Sequence, residues 1–536
     1  MTRFLLSGVA ALALVCSAGL ASAQDFSAER LSQSIRVISA DDFQGRYPGS
    51  EGETKTLEWL KAQYVAMGLE PGGRDGQWLQ PVELARYTPV ADAARLVWQI
   101  GDGADTALVM GEDAVIRAAT NDGQAKIENA GVVFAGYGIT APERGWDDYG
   151  DVDVTGKIVL VVSGEPEGEL FNGAYNTNYN SGAYKADEAK RRGAVGVITL
   201  VAGDKTAQAW RRTVSGGMRI RNLAPGAADL EFSGTVPGEV ARQWVSGFDD
   251  LVTTLGNGQF KAMPLDGLSL TVEASETKTS LKTHNFLARI PGTTHADETV
   301  IFSAHWDHVG ENPNATGEDK IFNGAWDNAS GTVGVVEIAR ELKAAGPMER
   351  TVVFLHVTAE EMGLLGSYAY TADPIYPLET TVANINIDML PLSASTKDVA
   401  IFGLGQNTLE DDLSVFAVAK GRYVGDDGQP SQGFYYRSDH FPFARAGVPA
   451  LMPWHGWDLV EGGKEAGEAE WRARFGRVYH KVTDEWSADL DFTSAVENLG
   501  LIYQLGLKLT NSRDWPTWKT TSEFGQVRER SSAARH

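Results

Sequence analysis

SAHWDHVG (Ser303–Gly310), NGAWDNASG (Asn323–Gly331), HVTAEEMGLLGS (His356–Ser367) and NINIDML (Asn384–Leu390) decide the fold of this chain. The runs Thr299–Ala304, Thr351–Ala359 and Thr381–Met389 are continuously apolar, as strands of a buried parallel sheet are. Asn328–Ala345 has the helical period, with Val333, Val336, Ala339 and Leu342 on one face and Gly346-Pro347 as its stop. Strands alternating with helices predict an open α/β sheet, whose sites form beyond the carboxyl ends of the strands. His305, Glu360, Glu361 and Asp388 fall at those ends. Asp327 falls just before the helix, where Gly331 allows close backbone approach.

One His with several carboxylates and no Cys suits a hydrolytic zinc site better than a structural one. Asp307, two residues beyond His305, is placed to hold the second ring nitrogen of a metal-bound His. Of the neighbours Glu360 and Glu361, one can face a metal and the other the water it activates. A second imidazole is needed. The candidates are His284, His295, His308, His356, His440, His455 and His480. His356 sits inside a strand and reads as core; His480, in the polar RVYHKVTDEW before the last helix, is preferred. SDHFPF (Ser438–Phe443) offers Asp439 and His440 as ligands or as shapers of a substrate pocket. Trp326, Tyr435, Tyr436, Trp454 and Trp457 read equally as an apolar specificity pocket or as core.

The 536 residues predict two or three units. Net charge is -24, which argues against nucleic acid or an anionic membrane as partner. The first 23 residues read as a signal peptide: Arg3, an apolar run Phe4–Val15, and the small Ala21-Ser22-Ala23. Cleavage there removes Cys16, the only cysteine, and leaves a chain bound for the periplasm or for secretion. No later stretch is long and apolar enough to span a bilayer. Two helices are expected before Leu69, one carrying Leu31, Ile35 and Ile38, the other Leu57, Leu60, Tyr64 and Met67. Gly45-Arg46 and Pro48-Gly49 between them read as a turn or a functional loop. From Arg86 to Glu276 the texture changes to short strands (130–139, 156–164 and 194–201) with a helix at 186–193. This reads as an inserted mixed domain with no metal-ligand cluster of its own. Its polar, aromatic or basic stretches Phe171–Tyr184 and Trp210–Asn222 read as solvated loops, with a lid as the alternative. A helix at Ser494–Leu509 ends the fold, and the residues after it read as a polar tail.

The segments AHWD, GAWDNASG, TAEEMGLLGS, INIDM, SDHFPFARAGVP and YHKVTDE, in that order, resemble the co-catalytic zinc aminopeptidase family. That group includes bacterial leucyl aminopeptidases, glutamate carboxypeptidase and the transferrin receptor. VVFAGYGI, DVTGKIVLVV and AKRRGAVGVITL resemble the protease-associated domain that some members carry. The resemblance implies an α/β fold: a three-layer peptidase domain with a mostly parallel mixed central sheet flanked by helices, plus the inserted β/α domain. The implied units are signal 1–23, peptidase 24–85 and 277–512, insert 86–276 and tail 513–536. It implies two zinc ions bridged by Asp327, one completed by His305 and Asp388, the other by Glu361 and His480. Glu360 is the implied general base and Asp307 the implied partner of His305; Asp439, His440, Tyr436 and Trp326 stand beside them as substrate-side candidates read from the residues alone. The implied substrates are peptides, cleaved at the N-terminus; carboxypeptidase or dipeptidase activity, or a silent binding protein, are the alternatives. A carboxypeptidase needs a basic pocket, for which Arg211, Arg212, Arg219, Arg221 and Arg437 are candidates. Lys481 and Trp326 depart from residues common in the family without removing a ligand.

Overall fold

One strand, Met263–Ile290, runs through both halves of the computed structural model. The model describes residues 25–535 apart from 172, 174–175, 202–204, 207, 216–218, 223–229 and 315–316. The signal peptide and Cys16 expected from the sequence therefore lie outside the described residues. The C-terminal half of the long strand pairs antiparallel with Leu79–Pro89 and with Arg350–Val357. From there the sheet runs in parallel through His295–His305 and Thr381–Asn386 to the short edge strand Ala450–Leu451. Every residue of Arg350–Val357 and Thr381–Asn386 is buried, which is why these strands are rich in apolar residues; the polar Arg350, His356, Asn384 and Asn386 among them are buried too. Helices Ala28–Ile38, Glu51–Ala66, Gly331–Ala345 and Thr493–Thr510 pack together on one face; Leu365–Ala372 and His440–Arg445 meet on the other. The fold is a mixed α/β sheet, mostly parallel on its site-bearing side and flanked by helices.

Local chemistry sets the helix ends. Ser27 and Ser50 cap the first two helices by accepting the amides of Arg30 and Glu53. These helices bury Leu31, Ile35, Ile38, Leu57, Leu60 and Tyr64. The expected helix at 328–345 begins three residues later, at Gly331. Residues Ala325–Ser330 instead form a tight bend that presents Asp327.

The N-terminal half of the long strand pairs with Arg95–Ile100 and Gln124–Phe134. Three parallel strands follow, Ile158–Val162, Gly196–Val201 and Phe232–Pro237, around a separate core that includes Phe134, Leu160, Ile198, Phe232 and Trp244. The sequence-based boundaries at 85/86 and 276/277 fall inside Leu79–Pro89 and Met263–Ile290, which pair from Glu276 to Phe286. The long strand passes from one core to the other around Glu276 without turning, and between Leu268 and Ile290 it carries no Gly or Pro punctuation to read.

Residues 513–535 are not a free polar tail. Phe524 is buried, the Trp518 indole donates to the Gly447 carbonyl at 2.8 Å, and Arg528 donates to the carbonyls of Leu378 and Thr381 at 2.9 and 2.8 Å. These anchors are spaced singly among polar residues, so no apolar run betrays them. Among the described residues no helix is long and apolar enough to cross a membrane.

Candidate metal centre

Three strand ends and two loops converge on one point. His305 closes its strand; Glu360 and Glu361 follow Arg350–Val357; Asp388 follows Thr381–Asn386. The bend carrying Asp327 is fixed from outside: the Asp484 carboxylate accepts the amides of Trp326 and Asp327 at 2.9 and 3.0 Å. Asn328 Oδ1 accepts the amides of Gly331 (2.8 Å) and Met389 (3.0 Å), tying the Asp327 bend to the Asp388 loop. His480 stands just past the helix Gly463–Val478, in the left-handed region at φ 53°.

The donor atoms form two groups sharing one residue. His305 Nε2 lies 3.4 Å from Asp327 Oδ1 and 3.4 Å from Asp388 Oδ1. His480 Nε2 lies 3.1 Å from Asp327 Oδ2 and 2.9 Å from Glu361 Oε2. Bonds of about 2.0–2.1 Å in a tetrahedral zinc site put ligand atoms about 3.3 Å apart, so both groups fit that ion. Asp327 offers one oxygen to each group. His305 Nε2 and Asp388 Oδ1 are buried with no hydrogen-bond partner, as atoms reserved for a cation are. His308, Asp327 and Glu361 also bring donor atoms within 4.8 Å of one another. His480 is the better third ligand, because His308 Nδ1 already makes a 2.6 Å hydrogen bond to Glu361 Oε1.

The charges call for a cation. Burial opposes charge on His305 and His480, yet the carboxylates around them outweigh it; the pKa of His480 is pulled up to about 10. Burial raises Glu361, but His308 and His480 outweigh it and hold this carboxyl well below its ordinary range. Burial pushes Glu360 well up, and no imidazole compensates it as fully. Glu360 Oε2 stays 3.9 Å from His305 Nε2, outside both groups and beside them.

Other side chains hold the donors in place. The Asp307 carboxylate was expected to hold His305. Instead the backbone carbonyl of Asp307 lies 3.1 Å from His305 Nδ1, while its carboxylate, 3.8 Å away, accepts the Glu360 amide at 3.1 Å. Burial raises the Asp307 pKa to about 8. Ser438 donates to Asp388 Oδ2 at 2.6 Å, leaving Oδ1 to face His305. Arg46, fully buried, donates to the carbonyls of Ile38, Trp306, Asn323 and Gly324 and so clamps the loops on either side of the site. The Gly45-Arg46 turn is thus a structural part of the centre. Sequence reading missed this because guanidinium-to-carbonyl bonds leave no motif.

The cleft over the donors is lined by Asp327, Glu360 and Asp388 together with Met389, Phe402, Phe434, Arg437, Met452, Trp454 and Tyr479. Of the aromatic residues expected to form a pocket, only Trp454 lines it. Trp326 is a correction: it is buried, donates its indole N–H to the Leu390 carbonyl at 2.9 Å and lines a different cavity beside Trp471 and Arg474. Asp439 and His440 are also corrections, since both are fully buried beneath the cleft. Asp439 accepts the Ser367 hydroxyl at 2.6 Å, and His440 packs against Tyr435. Tyr436 lines a neighbouring cavity and donates to Glu523 at 3.2 Å. Of the other imidazoles, His356 meets the Tyr64 hydroxyl at 2.7 Å inside the core, and His455 packs among Trp454, Trp457 and Trp471. Among the arginines, Arg219 pairs with Glu276 and Arg221 lies over the Tyr87 ring; Arg437 alone reaches the cleft among the described side chains.

Residues 285–504 match the model of Peptidase family M28. The chain is 28% identical over 261 residues to a probable lipoprotein aminopeptidase, LpqL, of Mycobacterium tuberculosis, covering 44% of this chain and 48% of that protein. It is 34% identical over 156 residues to aminopeptidase YwaD of Bacillus subtilis, covering 28% of this chain and 30% of that protein. The chain thus spans about half the length, or less, of these curated relatives. A solved aminopeptidase from Aneurinibacillus sp. strain AM-1 superposes with a TM-score of 0.46 at 20% identity, covering 90% of this chain and 94% of that one.

Proposed function

The chain belongs to Peptidase family M28, and on that premise we propose that it is a dinuclear zinc aminopeptidase, exported, that removes N-terminal residues from peptides. The observation that carries this reading is the pair of donor groups sharing Asp327, with Glu360 beside them and committed to neither. His305, Asp388 and one oxygen of Asp327 would hold one ion; His480, Glu361 and the other oxygen would hold the second. Zinc in such a site supplies a Lewis acid for the peptide carbonyl and lowers the pKa of water.

The chain's own residues supply the rest. Glu360 accepts the proton of the attacking water and delivers it to the leaving amine. The Asp307 carboxylate, bonded to the Glu360 amide, fixes where that carboxyl starts. Ser438 and the Asp307 carbonyl hold Asp388 and His305 in one orientation, so the donors are arranged before substrate arrives. Phe402, Phe434, Met452 and Trp454 give the cleft an apolar wall for a side chain. Export rests on the pattern of the first 23 residues.

Arg437 at the cleft favours one second reading, a carboxypeptidase that binds a terminal carboxylate. A panel of aminoacyl-anilides and N-blocked peptides, assayed with and without chelator alongside zinc analysis, separates the readings. Chelator-sensitive cleavage of free N-termini, with two zincs per chain, is expected. Cleavage restricted to N-blocked peptides would overturn the aminopeptidase, and inert zinc-loaded protein would overturn both.

A further inference from the structure

The insert stretch Phe171–Tyr184, whose sequence reads as a solvated loop or a lid, is docked against the peptidase region. Among its described residues Phe171, Tyr179 and Tyr184 are buried, and Tyr179 meets the other two rings edge-on, at 5.9 and 4.8 Å between centroids. The Arg144 guanidinium lies over Phe171 and Tyr179, at 5.2 and 5.5 Å, and the Tyr179 hydroxyl donates to Glu143 at 2.7 Å. These contacts brace the turn Asn178–Asn180, whose first backbone N–H reaches out of the insert.

That N–H meets Glu523, and the two oxygens of this carboxyl divide the work. Oε1 accepts both the Asn178 amide, at 3.0 Å, and the Tyr436 hydroxyl, at 3.2 Å; Oε2 accepts Arg144 at 3.2 Å. One oxygen atom thus joins the insert to Tyr436. The side chains of Glu523 and Arg144 are 2% and 6% exposed, so water does not readily replace a lost partner.

Tyr436 ends the turn Phe434–Tyr436 and directly precedes Arg437. Phe434, Arg437 and Ser438 line the cleft. The two ends of this segment have anchors of their own. Phe434 stacks on Phe402 at 5.3 Å, and Ser438 accepts the Asn386 side chain at 2.8 Å while donating to Asp388 at 2.6 Å. Arg437 between them is exposed; its guanidinium lies over the Phe434 ring and is 3.5 Å from the Tyr479 hydroxyl, a weak bond at most. Its chain neighbour Tyr436 is the residue that Glu523 holds.

We propose that the insert is a working part of the site, and that Glu523 is the positioning residue through which it holds Tyr436, and so Arg437, in place at the cleft. The inference rests on the peptidase reading only for what enters the cleft.

The test compares zinc-loaded Glu523→Ala and Tyr436→Phe, the second removing only a hydroxyl, with the unmodified protein. Hydrogen exchange read by mass spectrometry follows residues 433–438, and aminoacyl-anilide hydrolysis gives kcat and KM. The amides of Tyr436 and Arg437 donate to the carbonyls of Gly433 and Phe434 at 3.0 Å. In both variants they should exchange about tenfold faster, and KM should rise about three- to tenfold. The turnover number should stay within about twofold with both zincs retained, because Ser438 keeps its own anchors. Glu523→Gln retains Oε1 and should behave as the unmodified protein does. Asp187→Ala breaks a second tie between insert and peptidase region, to Arg445 at 2.6 Å, where neither residue lines the cleft; it should change neither readout. Exchange and KM unmoved in Glu523→Ala and Tyr436→Phe, or moved as far by Glu523→Gln or Asp187→Ala, overturns the positioning role. Faster exchange in a protein that hydrolyses no anilide sinks the peptidase reading alone; hydrolysis with exchange and KM unmoved sinks the positioning role alone.

Discussion

Glu361 turns one oxygen to His308 and the other to His480, while Glu360, its neighbour, faces His305 from 3.9 Å and bonds no imidazole. In the proposed reading that divergence separates a ligand from a proton carrier. Glu360→Gln keeps the shape and removes the base, so it should lower kcat by about 10²–10⁴-fold. Zinc content should stay unchanged; loss of zinc in step with activity would make Glu360 a ligand instead. Asp327 is the shared donor, so Asp327→Ala should empty both positions, whereas His480→Ala should lose one ion. Zinc per chain after gel filtration decides this, and one retained ion in Asp327→Ala would refute the bridge. The convergence of His305, Glu360, Glu361 and Asp388 was legible in the sequence because buried parallel strands are readable, and residues at their ends have a known place in space. Trp326, Asp439 and His440 were misread as substrate contacts for the opposite reason. Whether a polar or aromatic side chain lines a cleft depends on what covers it. Here the Leu390 carbonyl and Ser367, both remote in sequence, and Tyr435 make the cover.

The bend Ala325–Ser330 and the helix Gly331–Ala345 behave as one element whose job is to aim Asp327. Its join is crowded. A Cβ on Gly331 would lie 2.2 Å from Asn328 Oδ1 and 2.4 Å from the Ile387 carbonyl, although the backbone there is ordinary helix. The obstacle is packing, not conformation. On Gly334, one turn along, the nearest atom is Leu390 Cδ1 at 3.1 Å, the end of a side chain that can yield. Gly331→Ala should therefore lower stability by about 1–3 kcal/mol and weaken zinc binding. Gly334→Ala should cost less and leave zinc binding intact. Denaturant titration with zinc analysis reads both, and equal behaviour of the two variants would remove the argument. The helix itself was legible from its period and its Gly-Pro stop. The extent of the bend before it was not, because Asp484, remote in sequence, fixes it from outside.

At the scale of the whole molecule, the insert, the peptidase region and the C-terminal segment meet at Glu523. Its carboxylate accepts the Asn178 amide at 3.0 Å, Arg144 of the insert at 3.2 Å and the Tyr436 hydroxyl at 3.2 Å. Sequence reading made residues 513–536 a tail, because a single buried carboxylate looks like any surface one. Burial outweighs these three donors, Glu143 nearby adds to it, and the Glu523 pKa rises from 4.5 to about 7. The sign follows directly. Between about pH 4.5 and 7 the folded chain keeps a proton that the unfolded chain has lost, so stability falls as pH rises through that window and levels off above it. The shift corresponds to a loss on the order of 3 kcal/mol. Glu523→Gln is neutral throughout and keeps an acceptor for Asn178 and Tyr436. Its melting temperature should therefore fall less than that of the unmodified protein between pH 5 and about pH 8. Asp148 and Asp427, both raised to about 6 by burial, slope the same way in both proteins and cancel in the comparison. Parallel melting curves for the two proteins across that range would show that Arg144 and its companions hold Glu523 ionised in the fold.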